Sequence, residues 1–113
     1  MCKFQQLAER DDGEVRLCTN CQSYRLIYKN LVFTFNRIGL ENFKDNIEFC
    51  YQENLEFDFD PDERHIVFDT RLRGFQFLFS LQEVGGLMSL IQEAMIQESF
   101  LPQHIKKDPN EKC

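Results

Sequence analysis

Apolar residues recur along this chain with two different periods. Residues 14–18 (EVRLC) alternate weakly, while 23–28 (SYRLIY) and 31–35 (LVFTF) alternate clearly, as half-buried strands do. Lys29-Asn30 reads as a two-residue hairpin turn, with Asn tolerating positive φ. From Asn36, a good N-cap, the period lengthens. Leu40, Phe43, Ile47 and Cys50/Tyr51 fall at helical spacing and predict a helix from about 37 to 52. Leu55, Phe57 and Phe59 alternate with acids and suggest a short edge segment stopped by Pro61. Strands follow at 64–70 (RHIVFDT) and 75–79 (FQFLF), joined by a turn containing Gly74. Ser80 and Glu83 form an S-x-x-E capping box that opens an amphipathic helix to about residue 98. Pro102 closes this helix, and residues 101–113 read as a disordered tail.

The pattern repeats. Residues 30–50 align without a gap on residues 74–94: Phe33 meets Phe77, Phe35 meets Phe79, and the cap Asn36 meets the cap Ser80. Leu40, Phe43 and Ile47 then meet Val84, Leu87 and Ile91. A strand–strand–helix unit used twice, over 14–53 and 63–99, predicts a single α+β domain spanning residues 1–100. Its expected form is two-layered: a mostly antiparallel sheet of about five strands with both helices on one face, preceded by an N-terminal arm of residues 1–13. Strand alternation turns Phe33, Phe35, Phe77 and Phe79 toward the helices, together with Ile66 and Phe68. Ile27, Val32, Val67 and Leu78 are left on the opposite face, which is too apolar for a sheet surface in water. The expectation is a homodimer formed through that face; the competing one is that the arm folds over it.

A chain of 113 residues is the size of one domain and can bury a core without disulfides. Twelve Phe and no Trp make that core aromatic. A net charge of −6 with scattered basic residues argues against nucleic acid and against an anionic membrane surface, since both need clustered Lys and Arg. The opening MCKFQQLAERDDGE has no apolar run of signal-peptide length, and no later stretch is long enough to span a bilayer. The expectation is a cytoplasmic protein whose cysteines (2, 18, 21, 50 and 113) are mostly reduced thiols or metal ligands.

The sharpest chemical signal is Cys18-x2-Cys21 at the head of a hairpin. Two thiolates three positions apart can reach one zinc ion, with Cys2 as the third ligand if the arm folds back and His65, His104 or water as the fourth. Two half-sites meeting across a dimer would serve equally. A redox pair is the alternative, although such pairs sit at a helix N-terminus and a strand follows here. Plain packing is the third reading, and the one that suits Cys50, whose repeat partner is Ala94; Cys113 lies in the tail.

Other constellations are weaker. Asp58, Asp60, Asp62 and Asp69 have partial calcium-loop spacing, but Glu63 stands where the loop needs Gly, so an acidic turn is expected. No Ser or Cys can be placed beside either histidine, and there is no G-x-S-x-G elbow. Gly85-Gly86 lies inside a helix and marks a close approach to a neighbour rather than a phosphate loop. Arg64, Arg71 and Arg73 cluster near one hairpin as turn charges or as an anion grip.

With MC at the start, CTNCQSYRL leading into a hairpin and FQFLFSLQEVGGLMSLIQEAM at the end, the chain resembles a family of short uncharacterised bacterial proteins, a domain of unknown function, over about residues 1–98. The resemblance implies no established activity and associates Cys2 with Cys18 and Cys21. The Lys29-Asn30 turn is more polar than the family's small-residue turn. The function expected is therefore a non-catalytic protein-interaction module, dimeric and with a structural zinc corner; a thiol redox protein is the alternative. A small-ligand carrier using a cleft between the two units is a third reading.

Overall fold

Four successive strands build an antiparallel meander: β1 (Phe4–Arg10), β2 (Gly13–Cys18), β3 (Ser23–Tyr28) and β4 (Leu31–Phe35). A second hairpin, β5 (Arg64–Asp69) with β6 (Gln76–Ser80), forms its own two-stranded sheet. Helix α1 (Arg37–Leu55) follows the meander and helix α2 (Leu81–Ser99) follows the second hairpin. This computed structural model describes residues 3–57, 60–69 and 73–101; the tail beyond 101 lies outside the described residues.

The class is α+β, as the pattern predicted, but three details differ. Residues 4–10 are an edge strand rather than a loose arm. A bulge between Gln6 and Ala8 sets two consecutive residues, Leu7 and Ala8, into the core, which breaks the period of two that would have announced a strand. The sheet of about five strands is instead six strands in two sheets, because no ladder joins β4 to the second hairpin. The seam is filled by side chains: Phe33 of β4 meets Phe77 of β6 edge-on, with ring centroids 5.4 Å apart. Finally, Leu55 ends α1 and is not part of an edge segment; Phe59 lies outside the described residues.

Both helices run nineteen residues and start on side-chain caps. The Asn36 side chain accepts the Gly39 N–H at 2.7 Å. Ser80 Oγ accepts the Glu83 N–H at 3.1 Å while Glu83 Oε1 accepts the Ser80 N–H at 2.9 Å. Helix α2 packs on β1, β2, β6 and α1, and α1 packs on β3 and β4. Gly85 and Gly86 permit this. A Cβ on Gly86 would stand 2.8 Å from Tyr28 Oη, and one on Gly85 would stand 2.9 Å from the Tyr51 ring. Val15, Leu17, Tyr24, Leu26 and Tyr28 of the sheet close on Leu40 and Ile47 of α1 and on Val84, Leu87, Leu90, Ile91 and Ala94 of α2. Among the described residues, no helix is long and apolar enough to cross a membrane.

Candidate functional site

Cys18 ends β2 and is fully buried. Gln22 turns the chain back with a left-handed φ of 57°, its N–H donating to the Cys18 carbonyl at 2.9 Å and its side-chain amide to the Thr19 carbonyl at 3.1 Å. That winding sets Cys21 over Cys18, with the two sulfurs 3.2 Å apart and the Cys21 N–H donating to Cys18 Sγ at 3.5 Å. The start of the chain is tied to the same turn, since the Lys3 carbonyl accepts the Thr19 N–H at 3.0 Å and the Thr19 hydroxyl at 3.3 Å.

Of the predicted ligands, the turn thus brings Cys18 and Cys21 together. Cys2, one residue before Lys3, lies outside the described residues, as do His104 and Cys113. His65 stands on β5, its Nδ1 2.9 Å from the Glu63 carbonyl oxygen. Among the described residues, no three His, Cys, Asp or Glu side chains are grouped to hold a metal ion. Cys50 is a free thiol and Cys21 is disulfide-bonded. Cys50 packs against the core, and burial, followed by the nearby Glu53, pushes its thiol up. Of the acidic turn, Asp58 is outside the described residues, and the Asp60 carboxylate accepts the Asp62 N–H at 2.9 Å.

The four residues assigned to the outer face lie in two cross-strand pairs, Ile27 opposite Val32 and Val67 opposite Leu78. Val32, Val67 and Leu78 are 63%, 56% and 53% exposed, and Ile27 is half-buried.

A model of a family of unknown function, DUF6686, matches residues 1–108. The chain belongs to that family. Comparison with curated proteins and with solved structures returned no match. Membership of DUF6686 brings no activity with it, so the chemistry of the remaining polar groups rests on their geometry in this chain.

Two glutamates on α2, Glu83 and Glu98, are buried polar centres, and beyond the Ser80–Glu83 capping box their partners are long-range. Glu98 accepts from the Tyr24 hydroxyl and from Arg37 at the start of α1, and Arg37 also donates to Tyr24 Oη at 3.2 Å. Burial, then the bond to Glu98, pushes the Tyr24 phenol up to about 12. At the other end of α2, Arg64 grips Glu83 through two bonds of 2.8 Å and Lys29 approaches to 3.3 Å. Tyr28, whose hydroxyl donates to the Glu83 carbonyl at 2.8 Å, is also pushed up to about 12 by burial. Arg64 is thereby committed to Glu83 rather than to an anion; Arg71 lies outside the described residues. These clasps tie β3, the β3–β4 turn and β5 to α2.

Glu83 predicts the acid response. Its bonds to Arg64, ahead of the opposing effect of burial, hold the carboxyl at about 2 against an ordinary 4.5. The unfolded chain takes up this proton at higher pH than the folded one, so the stabilisation is complete above about 4.5 and is lost as pH falls toward 2. The loss should be about 1–2 kcal/mol, less than the shift alone implies, because Arg64 and Lys29 stand largely in water. Urea midpoints measured across that range should fall in the native chain and stay flatter in Glu83→Gln; parallel curves would remove this assignment.

Proposed function

We propose that the protein is a non-catalytic cytoplasmic interaction module that pairs with a second copy of itself through the outer face of its two sheets. The observation carrying this reading is the exposure of Val32 on β4, Val67 on β5 and Leu78 on β6, three large apolar side chains that water disfavours. The Cys18–Cys21 turn is read as a structural clamp for zinc, completed by Cys2. Two Zn–S bonds of about 2.3 Å at a tetrahedral angle separate sulfurs by about 3.8 Å, so the 3.2 Å pair has to open only slightly. Cys21 would have to leave its disulfide to act as a thiolate ligand.

One observation favours a second reading, thiol–disulfide exchange. The Cys18 sulfur lies 3.2 Å from the sulfur of Cys21. Closing a Cys18–Cys21 bond from the two thiols releases two protons and two electrons, which an external disulfide accepts on being reduced to two thiols.

Untagged protein tests both readings. Light scattering at micromolar concentration should give a dimer that Val32→Lys with Leu78→Lys converts to monomer; a native monomer overturns the pairing. Metal analysis should find about one zinc per chain or per dimer, with Cys18 and Cys21 slow toward thiol reagents. Metal-free protein with one fast thiol of depressed pKa would instead establish exchange chemistry.

A further inference from the structure

Between the two hairpins, β4, β5, β6 and α1 enclose a cleft of about 480 Å³, a volume typical of small-molecule sites. Its walls are aromatic. Phe33 and Phe35 are stacked with nearly parallel rings, 8° between their planes and centroids 5.9 Å apart. Phe43 of α1 leans over both, its centroid 5.2 and 5.0 Å from theirs. Phe77 stands edge-on to Phe33, and Phe68 stands edge-on to Phe43. All five rings are only half-buried, although they touch one another. The rim is polar without being basic. Asn42 and Asn46, one turn apart on α1, face Asp69 at the end of β5, and no described lysine or arginine contributes to the lining.

We propose that this cleft binds a small organic cation with a flat apolar body, an arylalkylammonium. Phenylalanine faces carry the negative end of the ring quadrupole, so they attract cations and repel anions that reach them. The Asp69 carboxylate, which accepts a hydrogen bond from Gln76, adds a formal negative charge at the mouth. The two asparagine amides can accept ammonium N–H groups. Among the described lining residues a carboxylate or phosphate ligand would meet no cation, and it would be opposed by the chain's charge of −6. The stacked Phe33–Phe35 pair and Phe43, tilted by 38° and 30° to those rings, give a planar body aromatic walls to pack against. This site is independent of the outer face and of the cysteine turn.

The chain has no tryptophan, so indole emission reports the ligand alone. Tryptamine, tryptophol and indole-3-acetate carry the same ring with a positive, neutral and negative tail. Titrated into the full chain at neutral pH, tryptamine should bind about tenfold tighter than tryptophol, and indole-3-acetate should bind weakest. Asp69→Asn and Asn46→Lys both change exposed residues and should erase tryptamine's advantage without altering thermal unfolding. Equal binding of the three probes, tighter binding of the acid, no binding at low millimolar ligand, or an unchanged preference in both variants would each overturn the proposal.

Discussion

Arg37→Ala is expected to destabilise the protein by about 2–3 kcal/mol, although nearly half of the arginine side chain is in water. The cost arises at the partner. The Glu98 side chain is only 5% exposed and its carboxylate has two described donors, Arg37 and the Tyr24 hydroxyl. Removing Arg37 leaves a buried charge with one neutral donor, which costs more than the ion pair itself contributes. Glu98→Gln alone should cost less, because an amide buried beside Tyr24 needs no countercharge. The double substitution should therefore be more stable than the sum of the two single losses allows, a coupling of about 1 kcal/mol or more. Urea unfolding of the four chains, with equal slopes, reads this directly. Additive losses, or an Arg37→Ala loss below about 0.5 kcal/mol, would show that the contact is an ordinary surface pair.

The same residue shows where sequence reading stops. Glu98 follows Leu87, Ile91 and Ala94 on the buried stripe of α2, so the helical period did mark it as inward-facing. What the period could not supply was a partner sixty-one residues away at the cap of the other helix. Local signals fared better. The Asn36 and Ser80 caps, the capping-box Glu83, both hairpins and the outward row at Val32, Val67 and Leu78 were legible because each is set by neighbours a few positions away. Strand β1 was not, because its bulge at Leu7 cancels the alternation that defines a strand. In the Lys29-Asn30 turn, the left-handed residue is Lys29, with φ of 55°, rather than Asn30. Its N–H donates to the Asp12 carbonyl at 2.7 Å, so a contact with the preceding hairpin overrides the local preference. The cysteine turn was legible as a pair, whereas the bond from the Thr19 N–H to the Lys3 carbonyl, made across the β1–β2 ladder's end, was not. The cleft depends on a seam between two sheets, and no spacing in the sequence encodes where two unbonded edges meet.

Gly13→Ala should be the costliest conservative change in the sheet, about 2–4 kcal/mol. Gly13 opens β2 opposite Tyr28, and a Cβ there would sit 2.4 Å from the Ile27 carbonyl oxygen, 3.0 Å from Leu90 Cδ2 and 3.2 Å from Tyr28 Cα. Two of these obstacles are backbone, in a strand held between β2 and β4, so neither can rotate aside. Relief requires the β2–β3 ladder to part where Leu90 of α2 also presses, and strain there spreads into the packing of α2 on β2. Gly86→Ala provides the comparison. Its nearest obstacle, Tyr28 Oη at 2.8 Å, is the end of a side chain that can tilt, at the expense of its bond to the Glu83 carbonyl. It should therefore lose only about 1–2 kcal/mol. Thermal unfolding of the two alanine variants should rank Gly13 well below Gly86. The reverse order would mean that β3 yields more readily than a tyrosine does, which is incompatible with a strand paired on both sides.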